Sequence, residues 1–297
     1  MIFINYYDEI KNELVNNEIT KKVKDYSKNR SDLTTYYNVG KLLSEAGKHY
    51  GEGIIKEYSK RLTNEFGTKF GITLLKRIRQ FYTVIEKGAT MSHQLSWSHY
   101  CELLPVNSID KINYYIKITK EQNLSIRELR AKIKNNEYER LDESTKEKLK
   151  EKEELKVPDL VKNPIQIKNT SGNNEISEKV LQKLILEDIP SFLDELGNGF
   201  TFVRNEYKIK IGDRYNYIDL LLFNYEFNCF VVVELKVSEL KKEHIGQIEF
   251  YMNYIDKNLK NINQNKTIGI IICKKENKYV IEYCSDDRII AREYELI

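Results

Sequence analysis

Asp219, Glu234 and Lys236 are ionisable residues in an otherwise largely apolar stretch, residues 218–237. The stretch holds two short apolar runs, 218–223 and 229–233, separated by the polar sequence N-Y-E-F-N. Short runs rich in branched apolar residues and bounded by Asn are typical of buried strands. The pattern therefore predicts a β-hairpin with Glu226 and Phe227 at its turn.

The register of this hairpin brings the three ionisable groups together. With that turn, Asp219 faces Glu234, with Cβ atoms about 5 Å apart. Lys236 lies two residues further along the strand, so its side chain leaves the same face. Two carboxylates this close repel each other unless a cation lies between them or one is protonated. Mg²⁺, which takes oxygen ligands at about 2.1 Å and often only one or two carboxylates, is the simplest explanation.

A surface ion pair at a strand end is the alternative interpretation of Glu234 and Lys236. It is the usual explanation for an isolated Glu-x-Lys. In an apolar hairpin, however, an ionised group needs a partner or a function. The surroundings therefore favour a functional site.

Size and composition indicate an ordinary two-domain globular protein. The chain has 297 residues, of which 41% are hydrophobic and 31% charged. No stretch approaches the roughly 20 apolar residues of a membrane span. The first residues lack the features of a signal peptide, and the four cysteines show no C-x-x-C spacing. We expect a cytoplasmic protein with reduced thiols, no disulfides, no zinc site and no membrane partner.

Charge is distributed unevenly along the chain. Residues 1–140 carry 24 Lys and Arg against 17 Asp and Glu, whereas residues 141–297 carry 24 against 28. A basic first half suits a nucleic-acid-binding module, and an acidic second half suits carboxylates that bind metal. Lysine-rich helices that merely face solvent explain the charge equally well.

The first half has apolar residues at helical spacings of three and four. A helix over 54–66 ends before Gly67, and a second helix follows Gly71, with Thr73 as its predicted N-cap. This pattern indicates a helix-turn-helix, and a plain helical bundle is the alternative. On the polar side of the second helix we predict phosphate contacts from three basic residues and base contacts from a glutamine. These residues are Lys76, Arg77, Arg79 and Gln80.

Residues 141–174 are charged at first and then rich in Pro, Ser, Gly and Asn, which indicates a helix and a linker. We therefore place domains at 1–140 and 175–297. The second domain begins with a helix over 175–197, interrupted near Pro190. Strands and one helix follow, at 200–211, 217–223, 229–237, 243–258 (the helix), 267–273, 279–284 and 289–296. The predicted fold is α+β overall, with a mostly helical first domain and an α/β second domain built on a mixed sheet.

Ordered motifs along nearly the whole chain resemble the YhcG-type PD-(D/E)xK nuclease family. The motifs include Y-x-x-G-K-L-L (37–43), L-K-R-I-R-Q-F-Y (75–82), Y-I-D-L-L-L-F (217–223), V-V-E-L-K (232–236) and G-Q-I-E-F-Y (246–251). The resemblance implies a winged-helix-like DNA-binding first domain and a restriction-endonuclease-like second domain. It further implies a metal-dependent DNA endonuclease, active in DNA processing or in restriction-type defence against phage. A dimer is implied because many nucleases dimerise to cut two strands.

The resemblance also assigns roles to residues of the second domain. Asp219, Glu234 and the backbone carbonyl of Leu235 would bind Mg²⁺ or Mn²⁺, Lys236 would supply the amine, and Gln247 would approach the site. Related nucleases often carry a Glu on the first helix, where this chain has Gln182. Glu178 or Glu187 is then the alternative acidic ligand. The departure keeps a second hypothesis open, namely a DNA-binding or assembly module with a weak or inactive nuclease fold. His244 is a weaker candidate for substrate contact.

Overall fold

The computed structural model describes residues 6–23, 28–51, 53–170, 172, 176–284 and 286–297. The chain divides into two compact units, Met1–Tyr138 and Glu139–Ile297. The first is helical and the second is built on a mixed sheet, so the predicted α+β class is confirmed. No helix in the described ranges is both long and apolar enough to cross a lipid bilayer.

Unit 1 contains only helices among its described residues. They are α1 (Tyr6–Val23), α2 (Lys28–Tyr50), α3 (Ile54–Phe66), α4 (Ile72–Glu86), α5 (Trp97–Leu103), α6 (Ile109–Glu121) and α7 (Ile126–Lys134). The described part of this unit therefore lacks the strands that would form the wing of a winged helix.

Helix α4 begins two residues earlier than the sequence suggested. A 3₁₀ turn, Thr68–Phe70, links α3 to α4, and Gly71 is the N-cap, with an extended backbone at φ −63° and ψ 158°. The carbonyl of Gly71 already accepts from the amides of Leu74 and Leu75. The prediction that Thr73 caps the helix was wrong, because this residue lies inside the first turn.

Close contact with α2 holds α4 in place. A Cβ atom on Gly40 of α2 would lie 2.6 Å from both the carbonyl oxygen of Ile78 and the Cβ of Tyr82. Leu75 and Ile78 are fully buried in the same core. Only glycine lets the two helices approach this closely, and packing fixes which face of α4 is exposed.

Unit 2 follows the predicted order with two differences. Its elements are α8 (Glu143–Glu151), α9 (Val157–Leu160), β1 (Ile165–Ile167), α10 (Glu178–Glu187), α11 (Ile189–Leu196), β2 (Phe200–Ile211), β3 (Arg214–Asn224), β4 (Cys229–Glu239), α12 (Lys242–Asn258), β5 (Asn265–Lys275), α13 (Lys278–Glu282) and β6 (Ile289–Leu296). Residues 141–170, expected to form a charged helix and part of a linker, contribute α8, α9 and β1 to this unit. The strand predicted at 279–284 was wrong, because Asn277 caps a helix there by accepting from the Val280 amide.

The sheet has the order β1-β6-β5-β4-β3-β2. Strands β2, β3 and β4 are antiparallel, whereas β4, β5, β6 and β1 are parallel. Helix α12 makes the crossover from β4 to β5 and packs on one face through Ile248, Met252 and Ile255. Helices α10 and α11 cover the other face with residues such as Leu181 and Phe192.

Strands β3 and β4 pair only over part of their length. Their register runs from Asn224 with Cys229 to Leu220 with Val233, which confirms the predicted hairpin. Beyond Leu220, β3 continues to pair with β2 as far as Arg214, while β4 continues beside β5. The sheet therefore opens between Asp219 on β3 and Glu234 on β4. The two-stranded part of β2 and β3 beyond this point, residues 207–218, is called the β2–β3 ribbon.

Candidate active site

Asp219 is held at both its backbone and its side chain. Its Oδ2 accepts from the Leu235 amide at 2.8 Å, across the gap where β3 and β4 separate. Its backbone carbonyl accepts from Nε2 of Gln182 on α10 at 3.0 Å. The amide of β4 thus has a partner even though the strands no longer pair, and the aspartate carboxylate is turned towards β4.

Glu234 is a buried carboxylate with an incomplete set of partners. The residue is 1% exposed, and its Oε2 accepts from Lys236 Nζ at 3.3 Å. Its Oε1 is buried and has no hydrogen-bond partner. Lys236 is itself 8% exposed, and its Nζ lies 3.9 Å from Oε2 of Glu178, the first residue of α10. A buried oxygen without a partner is costly in a folded protein and calls for a missing ion or water.

Burial disfavours the ionised form of both carboxylates. The pKa of Glu234 is raised to about 8, first by burial and then by the neighbouring Asp219 charge, against the opposing effect of Lys236. Burial also raises the pKa of Asp219, while the Leu235 amide and the Lys236 ammonium act in the other direction. Neighbouring acidic groups whose pKa values are raised in this way are characteristic of a site that binds a cation.

The donor set fits a hard divalent cation with few protein ligands. Among the described residues, no three His, Cys, Asp or Glu side chains are grouped so that they could hold a metal ion. Mg²⁺ needs fewer, because it commonly binds one or two carboxylates and keeps several waters. Asp219 and Glu234 supply two carboxylates, and the orphaned Oε1 of Glu234 is the oxygen that such an ion would satisfy.

Both halves of the chain match known families. Residues 158–297 match the YhcG PDDEXK nuclease domain, and residues 9–140 match the DUF1016 N-terminal domain. The Escherichia coli (strain K12) protein named "Putative nuclease YhcG" is 25% identical to this chain, over 95% of the chain and 88% of that protein. The chain belongs to the YhcG-type PD-(D/E)xK nuclease family. Its second unit is the nuclease domain of this family.

Solved structures give a weaker likeness. The crystal structure of a repair endonuclease from Pyrococcus abyssi is 18% identical, covering 43% of this chain and 49% of that chain, with a TM-score of 0.29. A structure of an EndoMS complex with double-stranded DNA is 19% identical, covering 43% and 48%, also with a TM-score of 0.29. The chain spans about half the length of these proteins.

The residues considered for the third acidic position of the nuclease domain lie in different surroundings. Glu178 is beside Lys236, whereas Glu187, at the other end of α10, accepts from Thr170 at 2.7 Å and lies 3.8 Å from Lys183. Gln182 faces the backbone carbonyl of Asp219. Of the two carboxylates, Glu178 is therefore the one whose contacts place it at the site.

Gln247 reaches the site through a tyrosine that the sequence analysis did not single out. Its Nε2 donates to the hydroxyl of Tyr251 at 3.2 Å. Tyr251 is 6% exposed, and burial raises its pKa, with smaller effects from Gln247, Glu234 and Asp219. The spacing of four residues on α12 places Gln247 and Tyr251 on one helical face. That spacing, read beside the E-x-K, is the signal that would have identified the tyrosine.

Two further ionisable residues lie near the candidate site. Burial lowers the pKa of His244 on α12, and the Lys236 charge lowers it further. Glu206 on β2 is level with Asp219, lying between the pairs Asn205–Leu220 and Tyr207–Ile218, and its charge raises the pKa of Asp219. Its backbone has φ +46°, a left-handed conformation that glutamate seldom adopts. Sequence alternation alone does not indicate this conformation, so Glu206 was missed.

The predicted DNA-binding residues of α4 lie partly on the surface. Lys76, Arg77 and Gln80 are exposed and Arg79 is half-buried. The Gln80 Nε2 donates to the Leu104 carbonyl at 2.7 Å, so its amide nitrogen already has a partner within unit 1. Burial raises the pKa of Cys101 on α5, and the charge and a hydrogen bond of Arg77 oppose this rise, which places the guanidinium near α5.

Proposed function

We propose that the nuclease domain hydrolyses phosphodiester bonds within DNA in a reaction that depends on Mg²⁺ or Mn²⁺. The observation that carries the proposal is the unpartnered Oε1 of Glu234, buried beside Asp219 and Lys236. The proposed role is DNA processing or defence against phage, in the cytoplasm, with a dimer as the proposed assembly.

The metal would be held by Asp219, Glu234 and the backbone carbonyl of Leu235, with Glu178 as a further acidic neighbour. When bound, such an ion polarises the scissile phosphate and lowers the pKa of a bound water. Asp219 is suited to this role because Gln182 and the Leu235 amide fix its position.

Lys236 is the residue that acts on the substrate oxygens. Its ammonium lies between Glu234, at 3.3 Å, and Glu178, at 3.9 Å, so it can hold a water or a phosphate oxygen in hydrogen-bond distance. Its positive charge would stabilise the negative charge that builds up on the phosphate oxygens as the bond breaks. Proton transfer by a residue placed in this way contributes roughly 10²- to 10⁴-fold to a rate.

In unit 1, α4 is proposed to bind the phosphate backbone of DNA. Lys76 and Arg77 are exposed on this helix, and neither residue is part of the apolar core that faces α2. Arg79 and Gln80 complete the proposed surface, with Gln80 as the proposed base contact through its remaining amide oxygen. Phosphate contacts of this kind fix position and supply affinity without reading sequence.

Nicking of a supercoiled plasmid tests the proposal. Asp219→Asn should keep the hydrogen bond from the Leu235 amide, and Lys236→Ala removes the amine while keeping both carboxylates. Both variants should lower the nicking rate by at least about 100-fold in Mg²⁺. Lys236→Ala should bind Mn²⁺ as tightly as the parent, whereas Asp219→Asn should bind it more weakly. The matched control is Lys274→Ala, at an exposed lysine of β5, which should cut at the parent rate.

A DNA-binding or assembly module with an inactive nuclease fold is the second candidate. Gln182 favours it, because this residue stands where related nucleases often have a glutamate. The plasmid assay separates the two. If the parent protein does not nick DNA in Mg²⁺ or Mn²⁺, or if Asp219→Asn and Lys236→Ala cut as fast as the parent, the catalytic proposal is wrong.

A further inference from the structure

The β2–β3 ribbon has an exposed face that the catalytic proposal does not use. Lys208 and Lys210 on β2 pair directly with Tyr217 and Tyr215 on β3. Directly opposed residues of antiparallel strands project from the same face, so these four side chains form one surface, called the ribbon face. Tyr215 and Tyr217 are 52% and 51% exposed, and both lysines are exposed.

The opposite face of the ribbon is anchored in the core. Ile209 and Ile218 are fully buried with residues of α12, and Tyr207 and Ile211 pack against the same cluster. The ribbon face is therefore the outer surface of a firmly packed element. The backbone positions from which its tyrosine and lysine side chains project are therefore fixed.

The chemistry of the ribbon face suits a nucleic acid strand. Lys208 Nζ lies 3.8 Å from the centre of the Tyr215 ring, so cation and aromatic ring are already combined there. Lysines on an edge strand also discourage unwanted sheet pairing, but that role does not call for two half-exposed tyrosines. Basic groups beside aromatic rings are how proteins bind single strands, with phosphates on the cations and bases stacked on the rings.

The spacing of the rings favours unpaired DNA over a duplex. Tyr215 and Tyr217 are two residues apart on one strand, about 7 Å. Successive nucleotides of a duplex strand rise only about 3.4 Å, so both rings cannot stack on neighbouring bases of a duplex. A strand whose bases are separated fits this spacing.

The ribbon face also lies next to the site. Tyr217 is two residues from Asp219 on β3, again about 7 Å along the strand. We propose that the ribbon face binds an unpaired strand of DNA by stacking and phosphate contacts and leads it to Asp219. The second part of this statement rests on the proposed nuclease function. The binding itself does not.

Fluorescence anisotropy of the full chain, in EDTA so that no cutting occurs, tests the binding. The probe is a labelled oligothymidylate of about 15 nucleotides, the upper range of a single-strand site. Tyr215→Ala with Tyr217→Ala should weaken binding at least about 25-fold, since one stacked base is worth fivefold or more. Tyr215→Phe with Tyr217→Phe should bind like the parent. Lys208→Ala with Lys210→Ala should lower the salt slope by about one to one and a half.

Tyr279→Ala with Tyr283→Ala is the matched control, because these tyrosines of α13 and its C-cap are even more exposed, at 75% and 81%. It should bind like the parent. The proposal is overturned if the parent does not bind the oligothymidylate, if the control loses as much affinity as the ribbon variant, or if the ribbon variant binds within twofold of the parent. The proposal is also overturned if the affinity that depends on the ribbon face is as high for duplex DNA as for the oligothymidylate, or higher for oligouridylate RNA.

Cleavage of the plasmid by the same proteins keeps the two proposals apart. If the parent nicks DNA but the alanine pair on the ribbon leaves strand binding unchanged, only the ribbon proposal is wrong. If strand binding depends on the ribbon but no protein nicks DNA, only the nuclease proposal is wrong.

Discussion

At the scale of single residues, the candidate active site is marked by a carboxylate whose hydrogen bonds the fold does not complete. One carboxylate oxygen of Glu234 accepts a hydrogen bond from Lys236, and the other is buried without a partner. An unsatisfied buried polar atom costs about 1–3 kcal/mol, and more when it carries charge. Glu234 carries this cost next to Asp219, where a cation would relieve it.

The raised pKa of Glu234 gives a pH dependence of stability. A glutamate ionises near pH 4.5 when unfolded, but in the folded protein burial raises the pKa to about 8. The folded state therefore binds a proton that the unfolded state has lost, and stability falls as pH rises from about 5 to about 8. Between pH 6 and pH 8 the loss of stability is about 2 kcal/mol.

We expect Glu234→Gln to remove this loss. In EDTA, the melting temperature of the parent should fall more between pH 6 and pH 8 than that of Glu234→Gln, as measured by thermal unfolding. Glu282→Gln, at an exposed glutamate of α13, should behave like the parent. An identical pH dependence in the parent and Glu234→Gln would show that Glu234 is ionised in the folded, metal-free protein.

At the scale of elements, the hairpin was predictable and its surroundings were not. The runs at 218–223 and 229–233 are apolar and separated by five turn-prone residues, so their register follows from local sequence. Helix α13 was missed because its sequence, K-Y-V-I-E, is rich in strand-forming residues. The helix is favoured instead by its N-cap, Asn277, whose side chain accepts from the Val280 amide. Glu206 was missed because strand pairing brings β2 level with Asp219, which no local pattern encodes. Tyr251 was missed although its spacing of four residues from Gln247 on α12 is visible in the sequence.

Helix α4 allows a direct test of DNA binding at this scale. Lys76→Ala with Arg77→Ala should reduce the slope of log affinity against log salt by about two for duplex DNA, since each phosphate contact releases about one counterion. The measurement is a titration of fluorescent duplex DNA in EDTA at several salt concentrations. Lys117→Ala with Lys120→Ala on α6 is the control and should keep the parent slope. An unchanged slope in the α4 variant would show that this helix has a structural role and does not contact DNA phosphates.

At the scale of the whole molecule, unit 2 begins well before the second domain predicted from sequence. Arg292 of β6 is 8% exposed, and its guanidinium donates to the Val161 and Pro158 carbonyls at 3.1 Å and to Asp142 at 2.7 Å. Arg140 pairs with Glu195. Val161, Pro158 and Asp142 lie more than a hundred residues before Arg292 in the sequence, and Arg140 lies outside the predicted second domain. The composition of residues 141–174 resembles that of a linker and therefore did not indicate these contacts.

Truncation tests the importance of this segment. A fragment of residues 139–297 should unfold cooperatively in urea, whereas a fragment of residues 175–297 should lack a cooperative transition by far-UV circular dichroism. The shorter fragment loses β1 and leaves the Arg292 charge buried without its partners, a cost of several kcal/mol. Equal unfolding midpoints for the two fragments would mean that residues 139–174 add nothing to the stability of unit 2.

Gln182 has a consequence for which residues its position can accommodate. Its Nε2 donates to the Asp219 carbonyl, and a glutamate there would set a carboxylate oxygen against a carbonyl oxygen. Gln182→Glu would therefore replace an attraction by a repulsion unless the backbone of β3 shifted as well. The side chain that position 182 accepts thus depends on the conformation of the strand beside it.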